Sequence, residues 1–156
     1  MAELLFRGLI PAFPTPLAAD GSLDEDGLAR IVEFQIARGV SGLVPLGGTG
    51  EATSFDLATR RRIMEVTVSA AAKRVPVIGG VLDPGRGGAL DTARLCREAG
   101  ADGLMVIAPY YARPDQEGVL RYFRSLAPEL KLPVIYYDNP YRTHLVTCLL
   151  YTSRCV

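Results

Sequence analysis

The sequence predicts an α/β fold built on a parallel sheet, and three observations point there. Short, continuous apolar runs alternate with longer stretches of helical periodicity, in the order β-α-β-α-β-α-β-α-β. From the second run onward the apolar segments recur about every 30 residues, the length of a βαβ unit. Two helix-to-strand junctions also read alike. "ARGVSGLVPL" and "EAGADGLMVIA" both pass through Gly into a run that opens with Gly-Leu.

The strands are expected at "GLIPAF" (8–13), "GLVPL" (42–46), "VPVIGGV" (75–81), "GLMVIA" (103–108) and "PVIYY" (133–137). Each is bounded by Gly, Pro or charge, as strands buried on both faces of a parallel sheet are. In the first helix Leu28, Ile31, Val32 and Ile36 share a face, and "GSLDED" supplies capping candidates before it. The second starts at Ser54/Asp56 and repeats Leu57, Ile63, Val66 and Ala70 at helical spacing. The third runs from about Gly88 to Ala99 and stops at Gly100; the fourth carries Val119, Tyr122, Phe123 and Leu126 and ends before Pro133. Five β/α steps fit either a doubly wound open sheet or part of a (β/α)8 barrel. A complete barrel takes about 250 residues, so 156 residues hold roughly five-eighths of one.

Residues 1–146 are expected to form this unit. The last ten residues, "TCLLYTSRCV" (147–156), break the rhythm where a fifth helix is due, and read as a non-native or disordered tail.

Composition narrows the function classes. The apolar fraction is 49%, the net charge is zero and the sequence pI is about 6.6, so no electrostatic bias favours nucleic acid or an anionic membrane. "MAELLFRGLIPAF" lacks the basic and long apolar regions of a signal peptide, and no run reaches the ~20 residues that span a bilayer. Cys96, Cys148 and Cys155 form neither a disulfide framework nor a zinc-ligand spacing. A cytoplasmic protein without nucleic-acid or membrane partners is expected. Fifteen arginines accompany two lysines, Lys73 and Lys131.

In α/β arrays, chemistry collects in the loops after strand ends. That filter selects "PAFPTPLAADG", "LGGTGEATS", "APYYARPDQEG" and "YYDNPYRT". "GGTGE" (Gly47 to Glu51) turns tightly and offers free N–H groups and the Thr49 hydroxyl, an anion nest suited to a carboxylate or phosphate. Taken alone it is a tight turn, with Glu51 capping amides. It matches neither dinucleotide nor P-loop spacing. Tyrosines at a strand tip relay protons or steady an oxyanion, although a single one usually packs. Arg142 is a natural fork for a substrate carboxylate, with an ion pair to Asp138 as the plainer reading. His144 has no partner for a metal site or a triad and receives no role.

Taken together, "TP…DG" (Thr15-Pro16 to Asp20-Gly21), "GGTGE", "AGADGLMVIAPYY" and "YDNPYRT" resemble the dihydrodipicolinate synthase / N-acetylneuraminate lyase family over about residues 6–143. The resemblance implies a partial TIM (β/α)8 barrel, about five β/α units of eight. It implies a lyase or synthase of the class I aldolase type, acting on pyruvate and an aldehyde, as in lysine biosynthesis. A lysine near the end of the sixth strand forms a Schiff base with the keto acid, so no cofactor is implied. Tyr137 corresponds to the proton-relay tyrosine, and Gly48 and Thr49 to the loop that holds the keto acid's carboxylate. Tyr111 corresponds to the tyrosine that reaches across a homo-oligomer interface to a neighbour's relay. Arg142 corresponds to the arginine that binds the second substrate's carboxylate.

Two departures shape the expectation. Gly48 stands where many members carry Ser or Thr, so the hydroxyl linking the two tyrosines is absent. That leaves room for an N-acetylneuraminate lyase-like enzyme, a keto-sugar-acid aldolase or a dehydratase. The Schiff-base lysine falls beyond residue 156, and Lys73 and Lys131 both precede strands, on the face opposite the mouth. The chain by itself is therefore expected to be inactive. A partial barrel that self-associates through unpaired edges is the non-enzymatic alternative; a phosphate-binding module on "GGTGE" is weaker still.

Overall fold

The computed structural model describes residues 6–147. Its regular elements are α1 (Glu25–Ala37), a 3-10 turn (Ala52–Ser54), α2 (Leu57–Ala71), β1 (Ile78–Val81), α3 (Arg86–Glu98), β2 (Gly103–Ile107), α4 (Gln116–Leu130), β3 (Val134–Tyr137) and α5 (Pro140–Thr143). The chain is α/β, with a parallel three-stranded sheet in the order β1-β2-β3.

The first two expected strands shrink to isolated parallel bridges, Ala12 with Val44 and Leu43 with Val77. Their sequences give the reason. Pro11, Pro14 and Pro45 cannot donate to a ladder, and Leu46 turns left-handed at φ 59°. The hydrogen bonds that survive still run parallel: Val44 N–H to Pro11 carbonyl, Leu43 N–H to Pro76 carbonyl, and Gly80 N–H to Pro45 carbonyl. Spatial order thus follows chain order from residue 12 to β3, with no reversal among the described residues.

The helices pack in succession, α1 on α2, α2 on α3 and α3 on α4. Asp24, Asp56 and Asp115 cap α1, α2 and α4, each carboxylate accepting from a backbone N–H three residues on. In α1 the expected face is the observed one, with Leu28 and Val32 fully buried. In α2 the stripe is rotated by one residue. Arg60, Ile63, Met64, Thr67 and Ala71 are buried, while Leu57 is exposed.

Strand alternation then sorts residues onto two faces. Leu104 and Val106 of β2 are completely buried on the helix side, where the Tyr136 ring of β3 meets Phe123 of α4 edge-on at 5.0 Å. Gly79 faces the same way and leaves room for Cys96 and Met64; a Cβ there would sit 2.5 Å from the Cys96 sulfur. The opposite face carries Gly80, Met105, Ile135, Ile107 and Tyr137, aligned by the register. At the end where the strands begin, Gly103 lets the Phe6 ring close in, since a Cβ would lie 2.6 Å from it.

Candidate active site

The loops that follow the strand ends enclose a cavity of about 330 Å3. Gly48, Glu51, Thr53, Leu82, Ile107, Tyr110, Tyr137, Asn139 and Arg142 contribute to its wall. Tyr137 reaches it because it ends β3 in register with Ile107, on the face away from the helices. Its neighbour Tyr136 points the other way, and its hydroxyl bonds to Thr147 and Asp138. The adjacent tyrosines are therefore not a pair at this site.

Arg142 arrives on α5, a single turn that begins with Pro140 at its first position and is capped by Asn139. Its guanidinium lies over the Tyr141 ring at 5.6 Å and makes no ion pair with Asp138 among the described residues. That leaves the plainer reading of Arg142 without its partner.

The "GGTGE" turn closes on itself through Gly50 N–H to Gly47 carbonyl (3.1 Å) and Glu51 N–H to Gly48 carbonyl (3.2 Å). Thr15 donates to the Gly50 carbonyl at 2.8 Å and so ties the loop after the first apolar run to this turn. Gly50 packs closely here, since a Cβ would stand 3.1 Å from the Phe13 carbonyl oxygen and the backbone would have to give by a few tenths of an ångström. Gly48 has nothing within 4 Å of a notional Cβ, so its missing side chain opens onto free space. Thr49 is exposed at the turn, while the cavity wall comes from Gly48 and Glu51 on either side of it.

Of the residues singled out from sequence, the cavity brings together Gly48, Tyr137 and Arg142. Tyr111 stands outside it, 88% exposed. Tyr110 takes the wall position, donating to the Leu82 carbonyl at 3.2 Å, and burial, reinforced by the Asp83 carboxylate, holds its phenol above the ordinary value. Both lysines sit at the far end. Lys73 lies 3.7 Å from Asp102 beside Phe6, Val75 and Pro133, and Lys131 caps α4 just before β3.

Two features escaped the sequence reading. Asn139 donates to the Tyr137 phenol oxygen at 2.7 Å. Behind the cavity, buried Arg60 donates to Asp83 (2.8 Å), Thr92 (2.9 Å) and the Phe55 carbonyl (3.0 Å). The second carboxylate oxygen of Asp83 and the Tyr122 hydroxyl are both buried without a partner among the described residues. Periodicity held the signal for Arg60, which shares a helical stripe with Ile63, Met64 and Thr67. No group of three His, Cys, Asp or Glu side chains among the described residues is placed to hold a metal. No described helix is long and apolar enough to cross a membrane.

Comparison with known proteins defines the class. Residues 5–150 match the Dihydrodipicolinate synthetase family. The chain is 43% identical over 139 residues to 4-hydroxy-tetrahydrodipicolinate synthase of Agrobacterium fabrum, covering 89% of this chain and 47% of that protein. Its fold superimposes on the chloride-inhibited dihydrodipicolinate synthase of Acinetobacter baumannii complexed with pyruvate, with TM-score 0.91 and 30% identity over 96% of this chain and 51% of that one. YagE, an Escherichia coli K12 prophage protein solved with pyruvate, gives TM-score 0.86 and 35% identity over 90% of this chain and 47% of that one. The chain belongs to the dihydrodipicolinate synthetase family. It spans about half the length of the curated relatives it matches.

Proposed function

We propose that these residues are the N-terminal part of a partial-barrel framework for a pyruvate-dependent Schiff-base aldolase, most like 4-hydroxy-tetrahydrodipicolinate synthase. The unreversed strand order supports a barrel sector over a doubly wound sheet, whose order reverses at its binding crevice. The observation that carries the reading is the meeting of Tyr137, Arg142 and the Gly48 turn around one cavity at the ends of the strands.

In this reading the N–H groups of Gly48 and Thr49 at the tip of the turn hold the keto acid's carboxylate, with the Thr49 hydroxyl beside them. A lysine from the part of the family's length beyond these residues adds to C2 of pyruvate. The nitrogen–C2 bond forms, the C2–oxygen bond breaks, and the oxygen leaves as water with the two amine protons. Tyr137 carries protons between nitrogen and oxygen. Once protonated, the imine draws electrons from C3, whose proton leaves. The enamine carbon bonds to the aldehyde carbon, the aldehyde C=O π bond breaks, and its oxygen takes up a proton. Arg142 receives the carboxylate of that second substrate. Tyr111, exposed in its loop, suits contact with another copy of the chain in a homo-oligomer. Lys73 and Lys131, at the opposite end, take no part, so these 156 residues alone are inactive. The enzyme works in the cytoplasm and needs no metal.

Gly48 favours a second reading within the family. Without a hydroxyl there, the chain also suits an aldolase or dehydratase of keto-sugar acids.

The test uses the full-length protein, incubated with pyruvate and then borohydride. One irreversible adduct, on a lysine outside residues 1–156, is the expected mass-spectrometric result. No adduct, or an adduct on Lys73 or Lys131, would overturn the proposal.

A further inference from the structure

One residue links the two functional side chains of β3 and α5. Asn139 caps α5 with Oδ1, which accepts from the Arg142 N–H at 3.2 Å; that N–H also bonds to the Asn139 carbonyl at 2.9 Å. A backbone N–H can only donate, so the amide oxygen must face Arg142 and the NH2 group must face Tyr137. The 2.7 Å contact therefore has one direction, with Nδ2 donating to the Tyr137 oxygen. An amide NH2 accepts nothing. The phenol proton is left to point away from Asn139, and the cavity lined by Gly48, Glu51 and Arg142 lies there.

We propose that Asn139 is the positioning residue that sets the direction of the Tyr137 proton, the work a hydroxyl at position 48 would otherwise do. The inference rests on the aldolase reading above. Gly48 offers no hydroxyl and faces open space, so position 48 does not orient the phenol through a side chain. Asn139 does so from the opposite side and, through the same amide, fixes the turn that carries Arg142. Tyr137 is held as a donor to the cavity. That is the polarity needed to protonate the keto oxygen as the lysine nitrogen adds to C2, the phenol then being restored by an amine proton.

Aspartate at this position separates the two roles. Asp caps a helix as well as Asn does. The oxygen it presents to Tyr137 accepts where the amide donated, which turns the phenol proton away from the cavity. Serine also caps but is too short to replace the donor.

The experiment compares the full-length wild type with Asn139→Asp and Asn139→Ser. It reads kcat and KM for pyruvate, exchange of the pyruvate methyl protons in D2O, and the borohydride adduct. The expected result is an unchanged melting temperature and KM, with kcat and methyl exchange lowered about tenfold or more in both variants. A purely structural cap would leave kcat intact in both. Wild-type kcat and exchange in Asn139→Asp, or in Asn139→Ser should the first variant not fold, would overturn the inference while the wild-type adduct stands. Absence of the adduct in the wild type sinks the aldolase reading itself, and the inference with it.

Discussion

The charged residues of α2 divide sharply. Arg61 and Arg62 make exposed ion pairs with Glu98 and with Glu25 and Glu65, and such pairs contribute little. Arg60 is buried against Asp83 and Thr92. Burial first, and then Asp83, pushes the Cys96 thiol and the Tyr122 phenol up to about 12. Both folded values are raised, so their stabilisation is complete below the unfolded values and is lost as pH rises through the folded ones. An unfolded thiol ionises near ~8.5 and a phenol near ~10, so stability is expected to fall between about pH 8.5 and 12, by up to ~1.4 kcal/mol per pH unit for each group. Urea unfolding of the full-length protein at a series of pH values measures this. Cys96→Ala is expected to flatten the first part of the decline; an unaltered slope would show that the thiol is not responsible.

At the scale of elements, glycine positions distinguish space from contact. A Cβ on Gly80 would sit 2.0 Å from the Leu46 carbonyl oxygen, which is backbone and cannot rotate away. Gly80→Ala is expected to force β1 from its neighbour and to cost about 1–3 kcal/mol by denaturant titration. Gly48→Ser, entering open space, is expected to leave the midpoint unchanged, and a large loss there would contradict the described turn. The same positions show what the sequence could and could not reveal. The apolar runs at 75–81, 103–108 and 133–137 were legible because each alternates with a capped, periodic helix. The runs at 8–13 and 42–46 look equally apolar, yet their prolines leave only single bridges. The loops of the site were legible as strand ends, and so were Gly48, Tyr137 and Arg142. Asn139 was not, because a capping asparagine before proline reads as turn chemistry, and only the fold brings Tyr137 within its reach. Arg60 was not singled out either, because only the fold brings its helical stripe against Asp83.

At the scale of the molecule, the described residues place the cavity at the strand ends and both lysines at the other end. Val134 of β3 is 41% exposed on the last strand of the sheet, an edge left unpaired among the described residues. Residues 148–156, where the tail and two of the cysteines fall, lie outside the description; Thr147 itself bonds to Tyr136 and Asp138. The most direct measurement is a crystal structure of the full-length protein soaked with pyruvate. The expected density runs unbroken from a lysine outside residues 1–156 to C2 of pyruvate, with the carboxylate at the 47–50 turn and the Tyr137 oxygen within hydrogen-bond distance of the imine. Pyruvate bound away from Tyr137, or a cavity that stays empty in a protein saturated with pyruvate, would contradict the account.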